Sequence, residues 1–358
     1  MTRLLEAVRR LRENEALLVI CLATVVVMAC QGIIAPNLAL FAESFGVTTA
    51  LIGVAVAAFG LGRLVMNVPL GVAADRHGRR LVLVGGPVVI SLSMFGCALS
   101  PNIVVFLIWR LVCGMGSAMY MTGAQIFLAD ISTPLNRAKN IATNQAALFI
   151  GVSIGPVIGG FLAEWFGLRA PFVVVGVLVL FAALHAWLRL PETRPHGPRP
   201  PGGGANDNAV AQGPVAGERP LRQLLRSPSF LAVSWVGFAI FMARTAGQQT
   251  LLPLHGADEL GLSSGQLGLV FTMMALVNLV GLPPSALIAD RFGRKWAIVP
   301  SGVVAAAGLV WLGASDSVLV FVLAAFLYSA GSAIGGPAPA AYAVDVAPPH
   351  LRGTTLGL

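Results

Sequence analysis

Ten apolar runs, each long enough to cross a hydrocarbon layer of about 30 Å as a helix, constrain this chain more than any other feature. They cover residues 16–41, 50–71, 81–99, 103–127, 140–163, 170–189, 229–254, 265–288, 295–314 and 318–342. Strands of a membrane barrel would instead show about ten residues of strict alternation. Water-soluble domains carry roughly a quarter charged residues; this chain carries 11% and is 56% hydrophobic. The expected fold is an all-α membrane bundle. The first run follows Arg3, Arg9, Arg10 and Arg12, but it is too long for a signal peptide and lacks a small-residue cleavage site, so it is read as a retained span.

The formal net charge of +8 raises the possibility of a nucleic-acid partner. Its distribution argues otherwise. Of the 23 Lys and Arg, 19 fall on the N-terminal segment and the alternate loops that share its side, only Arg169 falls on the other side, and Arg63, Arg110 and Arg244 lie within runs. The positive-inside rule then places the N-terminus in the cytoplasm, and the basic charge is topology. Cys21, Cys30, Cys97 and Cys113 sit inside runs without metal-ligand spacing and read as packing residues. No metal or cofactor is expected.

A second constraint is an internal echo: "GVAADRHGRR" at Gly71–Arg80 returns as "ALIADRFGRK" at Ala286–Lys295. Asp75 and Asp290, Gly78 and Gly293, Arg79 and Arg294, and Pro69 and Pro284 are all 215 residues apart, as are Gly46 and Gly261, Gly53 and Gly268, Asp130 and Asp345, and Arg137 and Arg352. Two halves built on one template are a common plan of secondary transporters. Residues 1–189 form the first half with spans 1 to 6, 190–228 a Pro- and Gly-rich cytoplasmic linker, and 229–358 the second half with spans 7 to 10 and the start of an eleventh. The same ruler sets Leu358 against Thr143, so two further helices, equivalent to residues 140–189, are expected to complete a twelve-span protein.

These residues resemble the major facilitator superfamily, and most of all its twelve-span drug:proton antiporter branch. Three motifs carry the resemblance. The first is Gly71, Asp75, Arg76, Gly78, Arg79 and Arg80, with its second-half copy at Asp290, Arg291, Gly293 and Arg294. The resemblance implies a cytoplasmic gate in which the Asp caps a helix of the opposite half, an arrangement the helix macrodipole favours. Asp130, Arg137, Asp345 and Arg352 are expected to pair around that gate. The second motif is Arg110, Gly114 and Gly116, where an Arg inside the bilayer marks a proton or substrate pathway. The third is "GVSIGPVIGG", with Gly151, Gly155, Pro156, Gly159 and Gly160, which resembles the antiporter signature; glycines four apart share one helix face and admit a close neighbour.

Substrate is expected near the midplane between the halves. At 1.5 Å per residue, Gln31, Arg63 and Arg244 come out near mid-membrane, and Gln248, Gln249, Asn278 and Tyr328, with Asn144 and Gln145, can add hydrogen bonds. The acids depart from the antiporter pattern. None of the fifteen Asp and Glu lies in the middle of a run; Glu43 and Glu164 stand at external ends, and span 1 offers only Gln31 and Asn37. An anionic substrate is therefore one expectation for the buried arginines, and a neutral or cationic amphiphile held by apolar contacts is the other.

Nothing in the chain suggests an enzyme. There is no nucleophile elbow or phosphate loop, and His77, His185, His196, His255 and His350 are scattered. The expected function is alternating-access transport of a small organic solute, as proton-coupled export of a drug or metabolite. The alternative is an organic-anion, metabolite or sugar importer or exchanger of the same fold. A monomer in the inner membrane of a bacterium is the expected setting.

Overall fold

The computed structural model describes residues 2–77, 79–132, 136–190 and 228–335, and among them every regular element is a helix. In lipid a backbone can satisfy its own polar groups only as a helix or a closed barrel. The first repeat comprises α1 (Thr2–Ile34), α2 (Leu38–Glu43), α3 (Thr49–His77), α4 (Arg79–Ala98), α5 (Ile103–Ile131), α6 (Arg137–Phe166) and α7 (Ala170–Arg189). The second comprises α8 (Pro228–Met242), a π-helical segment (Ala243–Leu251), α9 (Leu252–Asp258), α10 (Ser264–Arg291), α11 (Arg294–Gly313) and α12 (Val318–Gly335).

The 215-residue ruler holds at the level of helix ends. α4 and α11 begin at Arg79 and Arg294, α5 and α12 at Ile103 and Val318, and α3 and α10 at Thr49 and Ser264. Gly46 and Gly261 both adopt left-handed backbone, with φ of 70° and 63°. Only glycine takes that turn at little cost, which explains why the pair recurs.

Two runs differ from the sequence reading. Nine helices among the described residues are long and apolar enough to cross a membrane, against ten expected. The run at 229–254 is divided among α8, the π-helical segment and α9, so no single α-helix spans it. The run at 16–41 breaks at Ala35–Asn37, where Pro36 has no N–H to continue the ladder.

The chain packs as two units. The first contains the helices of residues 2–190 together with Gln248–Ala275, and the second contains the remaining described residues, 228–247 and 276–335. In the first unit α1 packs along α6, α5 lies between α3 and α4, and α7 covers α1 and α4. Lipid supplies no hydrophobic drive between spans, so close fit and small residues hold them together. Gly62, Gly86, Gly114 and Gly116 let α3, α4 and α5 meet backbone to backbone. Phe41, Phe106 and Phe172, all buried, close one end, with ring centroids 4.9–5.9 Å apart. In the second unit α11 lies against α12, where Gly308 meets Tyr328 and Gly331 meets Ala305.

Candidate functional site

The glycine motif of α6 has two working sides. Gly151, Gly155 and Gly159 all face α1, and a Cβ on any of them would strike a backbone carbonyl there, of Val25, Ala29 and Ile33 respectively. Gly160 faces the other way, onto Ser264 and Gly268 of α10. Asn37, at the break after α1, ties this joint: its Nδ2 donates to Gly159 O at 2.8 Å and to Ile33 O at 3.2 Å. Its Oδ1 is buried and has no hydrogen-bond partner among the described residues.

The first unit's intramembrane arginines occupy different environments. Arg110 is buried beneath the ring of Phe59, 5.0 Å from its centroid, and its Nε reaches Ala55 O at 3.4 Å. Arg63 is exposed. It shares a helix face with Ile52 and Val56, which are buried, and points away from the exposed apolar stripe of Val54, Leu61 and Val65. A charge in a span that avoids the lipid stripe and remains exposed belongs to a water-accessible surface.

The polar residues expected on span 7 come together in the π-helical segment: Arg244 exposed, and Gln248 and Gln249 half-buried. π-Helical turns inside α-helices occur frequently at functional sites. Gln31 is half-buried on α1. In the second unit Asn278 donates to Ser329 Oγ at 2.8 Å, and Tyr328 is buried with its hydroxyl bonded to Ser332. Tyr328 also lines an apolar cavity of about 240 Å³ with Ala243, Ala305, Leu309 and Gly335. The ruler accounts for that space, because Gly335 and Ala305 occupy the repeat positions of Tyr120 and Ile90, two large buried side chains of the first unit.

The gate motif is only partly described. Gly71, Asp75 and Arg76 fall on the last turns of α3, Arg79 and Arg137 begin α4 and α6, and Asp290 and Arg294 flank the α10–α11 turn, but the side chains of these residues lie outside the described set. Gly78, Asp345 and Arg352 lie outside it altogether. Gly293 is left-handed, with φ 92°. Arg80 packs within the first unit, donating to Trp187 O with its guanidinium 4.7 Å from the Trp187 ring. Arg291 stacks on Phe292 at 5.8 Å, and Asp130 is exposed at the end of α5.

Two features escaped the sequence. Thr24, Tyr120 and Asn144 form a buried cluster joining α1, α5 and α6, with Thr24 Oγ1 2.7 Å from Tyr120 Oη and 2.8 Å from Asn144 Oδ1. Glu164, in the last turn of α6, accepts from Gly265 N at 3.0 Å and from Ser263 Oγ at 3.1 Å. Ser263 and Gln266 had a readable signal, since Ser-x-x-Gln is a capping box; nothing local pointed from Glu164 to it. Nearby α9 contacts α2. Burial raises the Glu43 carboxyl above its ordinary value, and the charge of Asp258 raises it further. The four cysteines are free, and no cluster of metal-ligating side chains occurs among the described residues.

Membrane-length helices in two repeats, glycine-lined crossings and polar residues set inside spans define a polytopic membrane transporter. The chain belongs to the Major Facilitator Superfamily, whose description matches residues 20–358. It is 26% identical over 346 residues to the uncharacterized MFS-type transporter MJ1560 of Methanocaldococcus jannaschii, covering 95% of this chain and 85% of that one. The quinolone resistance protein NorA of Staphylococcus aureus is 34% identical over 151 residues, 42% of this chain and 39% of NorA. Among solved structures, a bacterial homolog of the human lysosomal transporter Spinster superposes with a TM-score of 0.79 at 18% identity, covering 97% of this chain and 78% of that one. A D-xylose–proton symporter gives 0.70 at 17% identity, covering 96% and 85%. The expected membership and all-α membrane fold are thereby borne out.

Proposed function

We propose that this transporter exports a small organic solute, a drug or metabolite, in exchange for protons, from a bacterial inner membrane in which its N-terminus is cytoplasmic. The observation that carries the reading is the glycine face of α6, because Gly151, Gly155 and Gly159 admit α1 to close contact, the use of these glycines that the antiporter signature implies. Similarity to a quinolone resistance protein over 151 residues supports export. Asp75, Asp290 and their neighbouring basic residues form the cytoplasmic gate, and Gln31, Arg63, Arg244, Gln248 and Gln249 face the solute. The protein works as a monomer.

The test is flux in reconstituted vesicles under an imposed pH gradient, with anionic, neutral and cationic compounds. Gradient-driven exchange supports antiport, and flux indifferent to the gradient overturns it. The exposure of Arg63 favours one second reading, an anionic solute, since an accessible guanidinium can pair a carboxylate or phosphate through two parallel hydrogen bonds. Arg63→Gln and Arg244→Gln should then abolish transport of an anion and leave a neutral compound within about twofold. Equal transport of both compounds by the variants removes that reading.

A further inference from the structure

We infer that Glu164 is the latch of a gate on the face opposite the basic loops, holding the start of α10 against the end of α6 while that side is closed. The inference rests on the alternating-access reading of this superfamily member. It concerns a contact between the two repeats that lies wholly inside the first unit.

Three observations combine. First, α6 and α10 meet backbone to backbone where they cross: Gly160 and Gly268 face each other, and a Cβ on either would strike the other helix, while the Phe161 ring packs on Gly265 beside them. Such a contact depends on close fit alone and is lost once the helices part by a few ångströms. Second, at the mouth of this crossing one carboxylate provides the charged contact, with Glu164 Oε2 accepting from Gly265 N and Ser263 Oγ. These are charge-assisted bonds to a helix N-terminus, where the macrodipole favours an anion.

Third, Glu164 is not the only cap of α10. Its own capping box is complete: Ser263 N donates to Gln266 Oε1 at 2.9 Å, and Gln266 N donates back to Ser263 Oγ at 3.3 Å. Glu164 accepts from Gly265 N, a first-turn donor that the box leaves open, and because it does so from the other repeat it also attaches one repeat to the other. Glu164 is exposed, so water can replace its partners as the gate opens. Access from this side to a midplane site requires the α6–α10 contact to separate. Glu164 accordingly biases the population toward the closed arrangement and acts as a positioning residue, without touching solute.

The experiment is a spin-label distance measurement on the reconstituted protein, with nitroxides on cysteines placed at the exposed residues Phe166 and Glu259 and the native cysteines replaced. In the parent the short distance should dominate. Glu164→Ala should shift most of the population to the longer distance, and Glu164→Gln, which keeps an acceptor and loses the charge, should fall between. A distribution for Glu164→Ala that superimposes on the parent overturns the inference. If Glu164→Ala does not fold, the isosteric Glu164→Gln carries the same test, and an unshifted distribution there overturns it equally. A second arm joins cysteines at 164 and 265 with a short reducible cross-linker. Transport should fall at least tenfold and return on reduction, and full transport while cross-linked also overturns it. Absence of proton-driven flux with the distance shift intact would remove the antiport reading and leave the latch standing.

Discussion

Gly159 shows how much a single hydrogen atom can decide. Its missing side chain lets α6 rest on the carbonyl of Ile33, with Asn37 donating to the Gly159 carbonyl beside it. Gly159→Ala must push α1 and α6 apart, a kind of overpacking that typically costs about 1–3 kcal/mol. Thermal unfolding in detergent should show a clear drop for Gly159→Ala. Gly53 provides the control, because a Cβ there would meet nothing within 4 Å and a helical Gly→Ala change at an open site is neutral or mildly stabilising. Equal losses at the two sites would refute this account. The α1-facing side was legible in sequence, since three glycines four apart can share only one face. That Gly160 serves a different helix was not, because its partner lies about a hundred residues away and no local pattern names it.

At the scale of elements, the short helices α2 and α9 face a matched problem. Glu43 and Asp258 are 215 residues apart in the chain, and the carboxylate of one lies in the field of the other. The Glu43 carboxyl is held above its ordinary value, so its protonated form is favoured in this packing. The resulting stability is fully present below the usual carboxylate range and is lost as pH rises through the raised value. Contact between α2 and α9, followed by spin-label distance, should therefore weaken as pH climbs from about 4 toward neutrality, and Glu43→Gln should flatten the profile. An unchanged profile in the variant would assign the titration to another group. Helix ends were legible from the repeat, as Arg79 with Arg294 and Ile103 with Val318 attest. The division of span 7 was not, because apolar composition is blind to whether a backbone bonds at i+4 or i+5.

For the molecule as a whole, duplication left two repeats alike in helix boundaries but unequal inside. Tyr120 fills and hydrogen-bonds a position where its counterpart Gly335 leaves space, so the repeats share a frame without sharing a core. Sequence spacing reveals the frame and says little about the core, since volume matters only once the neighbours are known. The two units divide between Gly247 and Gln248, inside the π-helical segment. A π turn accommodates surplus chain within a helix, which makes residues 243–251 a reserve of length. Removing one residue there should let the segment tighten to α while the helix faces on either side keep their aim. The same deletion in the middle of α5 would rotate everything beyond it by about 100°, and thermal unfolding in detergent should show a smaller loss for the deletion at 243–251 than for the one in α5. Length can therefore change by one residue at this site with less disturbance of the flanking helix faces than in the middle of a regular span.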